Sequence, residues 1–505
     1  MRNRFANIRI WPTVGVLLSA LALCGRADAQ GQGPATAPAA KPMGLEEAIR
    51  LTLRQSNDAI RIEDEKVNGA AAKLKQASGA FDWMVTGEGG YQTLYVPHVA
   101  QGLLPNHGVL TDQTDTVGTG YISGGIGRTF RNGITVRPGV TAYPSSGASV
   151  AQTLGATQLR PSLGLQIPLM RGLGETSADA VERAAQETLK GTSLARQFAI
   201  ASLVNDTVQI YWRCQATDQV ARNSKDYDQR ASDYENSLAK QAEKGLIEPT
   251  VVQRANAIAV ARRLNVQQAE NAAQDCRHDL AAATMGSGEV MAGASLADVP
   301  AMKNAQASID ALQEEGLMSL ALQNRADFKA AGENVAAADA KLDGARDSTA
   351  PTLNLAIEPD RAILRYSQSI ENNVGQGMQD EASAASAQAH IALSQLQTQI
   401  RQQVSITLRN LKSAYADWKI LSDAAQQMDV VVIDAGGRAN LGVIDRSDFV
   451  TAQSQLMDIR NQLVNAQLQY ASSLATLRLV TGTIDPVQET PAAVAAKFIS
   501  PSIRE

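Results

Sequence analysis

The chain has 505 residues, 44% of them hydrophobic, 19% charged and only 4% aromatic, with a formal net charge of -5. Its aromatics (7 Phe, 10 Tyr and 4 Trp) are too few for the three or four compact domains that such a length ordinarily makes, so long helices are expected instead. No basic excess is available for nucleic-acid phosphates, and collagen-like or disulfide-scaffold compositions are excluded.

Arg2, Arg4 and Arg9 precede an apolar run from Trp11 to Cys24, and Ala27-Asp28-Ala29 follows. This is the order of a secretory signal cleaved after Ala29, which leaves a mature chain near -8. Lipidation at Cys24 would need a small residue before it, and Leu23 stands there. No later apolar run reaches the ~18 residues of a membrane-spanning helix, which argues against an inner-membrane protein. Residues 30–42 read as an Ala/Pro/Gly/Gln linker, and 43–80 as helix on the spacing of Leu45, Ile49, Leu53, Ile60, Val67 and Leu74.

The composition then changes abruptly. Residues 79–174 hold 18 of the 38 glycines and seven of the aromatics. Alternating segments appear at Tyr121-Ile122-Ser123, Ile134 to Arg137 and Leu163 to Ile167, and Asn132-Gly133 signals a tight turn between two of them. A β block of about four strands is expected over 81–170. Gly124-Gly125-Ile126-Gly127 lies among these strands rather than before a helix, so it is not a phosphate loop.

Beyond 180 the chain reads as helix with short breaks. Val252, Ala255, Ala259, Arg262, Val266, Ala269, Ala273, Cys276 and Leu280 keep a strict 3-4 spacing. Phe449, Ala452, Leu456, Ile459, Leu463, Ala466, Tyr470, Ser473 and Leu477 repeat it at a constant offset of 197, which also relates Gly245 to Gly442 and Cys214 to Leu411. These are two copies of one coiled-coil hairpin. Further upstream, Leu53 and Asp58 match Leu322 and Asp327 at 269, and Lys73-Leu74 match Lys341-Leu342 at 268. The second copy lacks roughly 71 residues, the counterpart of the β block, and keeps room for one short hairpin around 350–380. The layout is a signal at 1–29, a linker at 30–42, repeat 1 at 43–290, a linker at 291–310, repeat 2 at 311–484 and a tail at 485–505. Repeat 1 carries a long hairpin at 180–286. Repeat 2 carries one at 381–482, opposed by a helix over 311–349.

Several segments resemble the TolC-like outer-membrane efflux family over residues 43–484. They are Leu45-Glu46-Glu47-Ala48-Ile49, the strand exit Pro168-Leu169-Met170-Arg171-Gly172, and Tyr211-Trp212 on a long helix. The hairpin tips Gly245 to Thr250 and Gly442 to Asp448, and Tyr470 with Leu477 to Thr483, complete the set. The resemblance implies a mainly α fold with a β-barrel portion. It further implies a homotrimer in the outer membrane whose helices form a periplasmic tunnel, and partners in a periplasmic adaptor and an inner-membrane pump. The family takes strands from both repeats. Here the first repeat supplies four alone, or the barrel is reduced or absent. The expected function is a passive exit duct of a tripartite efflux pump or type I secretion system; a degenerate periplasmic scaffold or binding module is the alternative.

The resemblance makes Asp448 a gate candidate at the second tip, with Asp445 and Arg446 beside it; the plain alternative is that Ser447 caps a helix and Asp448 complements its dipole. Cys214 lies 33 residues before a turn near 247 and Cys276 29 after it, so the two stand at nearly one height. A disulfide or two buried thiols would both fit there. Trp83, Tyr91, Tyr95 and Tyr121 are candidates for an interfacial aromatic belt. No enzyme or cofactor motif is found, and His98, His107, His278 and His390 have no metal-ligand spacing.

Overall fold

The computed structural model describes residues 43–503, apart from 55–56, 100–111, 144–157, 246–247, 285–299, 301, 303–304, 360 and 442–445. The expected signal segment, Cys24, the linker at 30–42, Gly442 and Asp445 lie outside the described residues. In chain order the elements are α1 (Leu45–Thr52), α2 (Asp58–Ser78), β1 (Met84–Val99), β2 (Asp112–Thr129), β3 (Thr135–Tyr143) and β4 (Gln158–Pro168). There follow α3 (Glu175–Ala178), α4 (Ala180–Glu243), α5 (Pro249–Ala283), α6 (Gln306–Asp310), α7 (Glu314–Asn324) and α8 (Ala326–Asp347). The chain closes with β5 (Thr352–Glu358), β6 (Arg361–Ser367), α9 (Asn373–Asn440), α10 (Arg446–Thr481) and α11 (Pro491–Ile499). The fold is mainly α with a single β portion.

The duplication is structural. The starts of α5 and α10, like the ends of α4 and α9, are 197 residues apart. Helix α4 has 64 residues and α9 has 68, so each runs about 100 Å. Two shorter helices line each of them end to end. On the N-terminal half of α4 lies α2, tied by Arg196 to Asp64; on its C-terminal half lies α5. In the second copy α8 and α10 line α9 in the same way. Neighbours across the chain run α2–α4–α8–α9 at one end and α5–α4–α10–α9 at the other, a wall one helix thick. The seam residues of α5 and α10 face their partners: Ala259, Ala273, Leu280, Ala452, Leu456 and Leu477 are buried. Small residues at these knobs let the helices approach closely.

The core proper sits midway along, where α1, α7, α10 and α11 meet the long helices. One cluster gathers Leu45, Ile49, Val208, Tyr211, Trp212 and Phe498, and a second gathers Ala321, Ile400, Leu411, Tyr470 and Leu474.

Four boundaries differ from those the sequence suggests. The first helix breaks at 53–57, where Asn57 accepts a hydrogen bond from the Ala59 amide and caps α2. The helix over 311–349 breaks at Arg325, whose extended backbone is held by its guanidinium on Asp327 and Gln403. Helix α9 begins at Asn373, before the 381 expected. Gly375 and Gly377 lower helix propensity there, but left-handed Asn372 (φ 46°) and packing of Gly375 on Ser348 start it early. The tail forms α11, capped by Thr490 with Pro491 at its first turn.

The sheet is antiparallel throughout, in the order β1-β2-β3-β4-β5-β6. At the Asn132-Gly133 turn Gly133 has φ +86°, and the Asn132 side chain accepts from the Ile134 amide. A Cβ on Gly133 would lie 2.0 Å from the Gly172 carbonyl oxygen, so only glycine fits this approach. The second repeat adds the short pair β5–β6, seven residues each, which joins β4 only over Leu165–Pro168. Among the described residues, repeat 1 therefore supplies four long strands and repeat 2 two short ones.

Candidate functional site

The register gives the sheet two unlike faces. Val85 pairs with Ile126, Ile122 with Ala142, Pro138 with Leu163, Leu165 with Ile357, and Leu355 with Leu364. Because side chains alternate, all of these share one face, and it is apolar across all six strands. It is also bare: Val85 is 81% exposed and Leu159 67%. The opposite face carries Thr86, Glu88, Ser123, Arg137, Arg160, Ser162 and Gln166, interspersed with Gly125, Gly127 and Gly139. A continuous exposed apolar face backed by a polar one is the pattern of a barrel with hydrocarbon outside and water inside.

At the base of the apolar face, Trp83 and Phe130 flank the Arg128 guanidinium at 5.6 and 5.3 Å from the ring centroids, and Arg128 also donates to the Phe81 carbonyl. Tyr91 and Tyr366 stand on the same face. Tyr121 does not, which corrects the expected belt. It pairs with Gly90 on the polar face, and its hydroxyl donates to Glu88 at 2.6 Å. The side chain of Tyr95 lies outside the described residues. Below the sheet, Arg131 grips Glu182 of α4 with two bonds of 2.6 Å, and these hold the Glu182 carboxyl below its usual range. The β2–β3 turn is thus clamped onto a long helix.

At the far end, left-handed Gly245 (φ +72°) ends α4, and Pro249 opens α5. At the second tip Asp448 is exposed in the first turn of α10. Ser447 lies inside that turn rather than before it, so it is not the capping residue; the helix starts at Arg446. The Arg446 side chain lies outside the described residues.

Between tip and core, the first hairpin carries two features absent from the second. Cys214 of α4 and Cys276 of α5 are joined by a disulfide, their Cα atoms 5.3 Å apart. Arg262, 5% exposed in the α5 seam, donates at 2.7 Å to both Asp228 and Glu235 of α4. Burial pulls this guanidinium's pKa down, but the bonds to Glu235 and Asp228 outweigh it and raise it. In the second copy Leu411, Ser473 and Ile459 occupy the three matching places.

The 3-4 spacing places Arg262 in the seam but does not reveal its partners on α4. A charge in an apolar seam, reflected about the tip, was the available signal. Arg478 was likewise missed. Buried beside Tyr470, it donates to the Ser500 and Ser502 carbonyls and clamps the tail; burial pushes its pKa down to about 10. Tyr470, also buried, is pushed up to about 12. Among the described residues, no group of three metal-ligating side chains occurs and no helix is long and apolar enough to cross a membrane.

No family model matches the chain, and no curated protein matches it by sequence. Solved structures do. The outer-membrane channel OprN aligns with a TM-score of 0.63 at 14% identity, covering 87% of this chain and 89% of that one. The CmeC outer membrane channel of Campylobacter jejuni aligns at 0.61 and 13% identity, over 90% and 89% of the two chains. The MtrE outer membrane channel of Neisseria gonorrhoeae, solved in its open state, aligns at 0.58 and 14% identity, over 87% and 88%. The TolC-like fold is therefore present over nearly all of the chain.

Proposed function

We propose that this chain, with its TolC-like fold, is the passive outer-membrane exit duct of a tripartite efflux pump or type I secretion system. The carrying observation is the two-faced sheet set on a wall one helix thick. A membrane strand needs ~9–11 residues, a length that β1 to β4 reach and β5 and β6 do not. Three copies would supply twelve spanning strands, with the β5–β6 pairs thickening the base.

The wall has two open edges. Helix α9 exposes Ile391, Ile406, Ile420 and Ile433, while α5 exposes Ile258, Val260 and Leu264. Set edge to edge in a ring of three, these apolar rows cover one another, and the unpaired edge of β1 finds a neighbour. The helical part would lie in the periplasm. Its tips would meet an adaptor and an inner-membrane pump, and three copies of Asp448, with Asp445 and Arg446, would ring the narrow entrance. Opening would follow docking, and an anionic ring there would favour cations.

Membrane fractionation followed by native mass measurement tests the reading. Outer-membrane recovery as a trimer is expected; a monomer soluble in the periplasm refutes it. Asp448→Ala should raise single-channel conductance, and unchanged conductance would leave that carboxylate only its helix-dipole role.

A further inference from the structure

The polar face of the sheet is not electrically neutral, and its charges fall at defined levels. Following the register, Met84, Gly127, Arg137 and Gly164 stand side by side across β1 to β4, and Glu358 pairs with Arg361 one step beyond the end of the β4–β5 ladder. Glu358 is engaged by Arg361 at 2.6 Å. Among the described residues, no carboxylate pairs with Arg137. Lower on the same face Arg365 pairs with Asn354, a neutral residue.

The neighbours of Arg137 fit a cation left facing open space. A Cβ on Gly127 would come within 3.1 Å of its Cγ, and one on Gly164 within 3.6 Å of its Cβ, so the stem lies across a glycine bed. It borders a hollow of about 470 Å³ with Gly125 and Gly139, on whose rim Asp82 is the one described carboxylate. Higher up, Arg160 is matched in number by Glu88. The surplus positive charge therefore lies in the lower half of the face.

On the reading of the chain as a trimeric duct, we infer that Arg137, supported by Arg365, makes the lower barrel lumen a selectivity filter for anionic solutes. Three copies place three guanidinium groups at one level, and rings of arginine favour anions in narrow water-filled passages. Such a filter acts in series with the acidic tip. An anionic passenger admitted by an opened tip then meets attraction in the barrel.

The test uses the full-length trimer in planar bilayers, under a potassium chloride gradient near 0.01 M, where screening is weak and a charge acts over about 30 Å. Asp445→Asn/Asp448→Asn protein serves as background, so that tip charge does not mask the barrel. The expected chloride-to-potassium permeability ratio exceeds one. It falls about twofold or more in Arg137→Gln, reverses in Arg137→Glu and survives in Arg137→Lys. An unchanged ratio in Arg137→Glu channels of normal conductance overturns the filter and leaves the duct intact. Loss of the ratio in Arg137→Lys would assign Arg137 a structural role instead. A protein recovered as a soluble monomer would overturn the duct, and the filter with it.

Discussion

Removing the disulfide should loosen one hairpin and leave its copy untouched. The bond spans 62 residues and ties α5 to α4 at the waist. Fraying of the tip alone is indifferent to it, because both cysteines stay docked. Openings that peel α5 away along its whole length are not, because the bond keeps the released segment a closed loop. For a loop of this size the lost entropy amounts to about 4 kcal/mol, or about a thousandfold in the opening equilibrium. The assay is amide hydrogen exchange of α5 peptides around 263–283 in the detergent-solubilised protein. It compares wild type, reduced wild type and Cys214→Ala/Cys276→Ala. Reduced protein is the cleaner arm, since alanine adds small cavities at two sites that are almost fully buried. Peptides from α10 are the internal control. Equal α5 exchange in oxidised and reduced protein would refute the reasoning.

Arg262→Ala should leave Asp228 and Glu235 facing a seam without their cation. With these carboxylates 28% and 13% exposed, the cost should be about 2–3 kcal/mol, below that of a wholly buried pair, and visible as faster α4–α5 exchange. Arg262→Ile combined with Asp228→Ala and Glu235→Leu should recover most of it. Tyr470→Phe removes a buried hydroxyl that has no hydrogen-bond partner among the described residues, so stability at neutral pH should change by less than about 1 kcal/mol. With its folded pKa raised to about 12, Tyr470 contributes stability that is full below pH 10 and lost as the pH climbs toward 12. Arg478, lowered to about 10, works in the opposite sense, its burial penalty fading as the pH rises past that value. Alkaline unfolding of Tyr470→Phe should thus begin at higher pH than that of wild type. Gly133→Ala should cost about 2 kcal/mol or more at the β2–β3 turn, read as loss of heat-modifiable mobility.

The helical half of the fold was legible because its signal is periodic and written twice. A 3-4 spacing over nine positions, repeated at a fixed offset, names both seams and both tips without any knowledge of distant contacts. The sheet was legible as strands but not as faces. Which side Tyr121 occupies depends on its pairing with Gly90, and a shift of one residue would have reversed it. The break at Asn57 is local, a cap on the Ala59 amide two residues on, whereas the one at Arg325 was hidden because its partner Gln403 lies 78 residues away. The Arg262 cluster was hidden for the same reason. For α11 the signal was local, in Thr490-Pro491 with Val494 and Phe498 four apart, and it was passed over as tail.

The two copies share a backbone plan and differ in what fastens it. The first hairpin is held by a covalent bond and by a buried guanidinium bound to two carboxylates. Toward its tip, the described residues of the second offer the pair Arg460–Asp429, 38% and 43% exposed, and a small cluster of Val432, Ala452 and Leu456, while nearer the sheet Leu411 and Tyr415 of α9 pack on Tyr470 and Leu474 of α10. Exposed pairs contribute little, at most about 1 kcal/mol. Between the hairpins, Asn223 donates to Asn461 at 3.0 Å, a neutral bond of about 1 kcal/mol net. Any widening at the tips must break the weakest of these ties first. In the proposed duct the motion would therefore fall to α9–α10, moving as a unit against a first hairpin held by its covalent bond. Asp448 at the second tip would ride on that part, while the clamp of Arg131 on Glu182 ties the first long helix to the sheet.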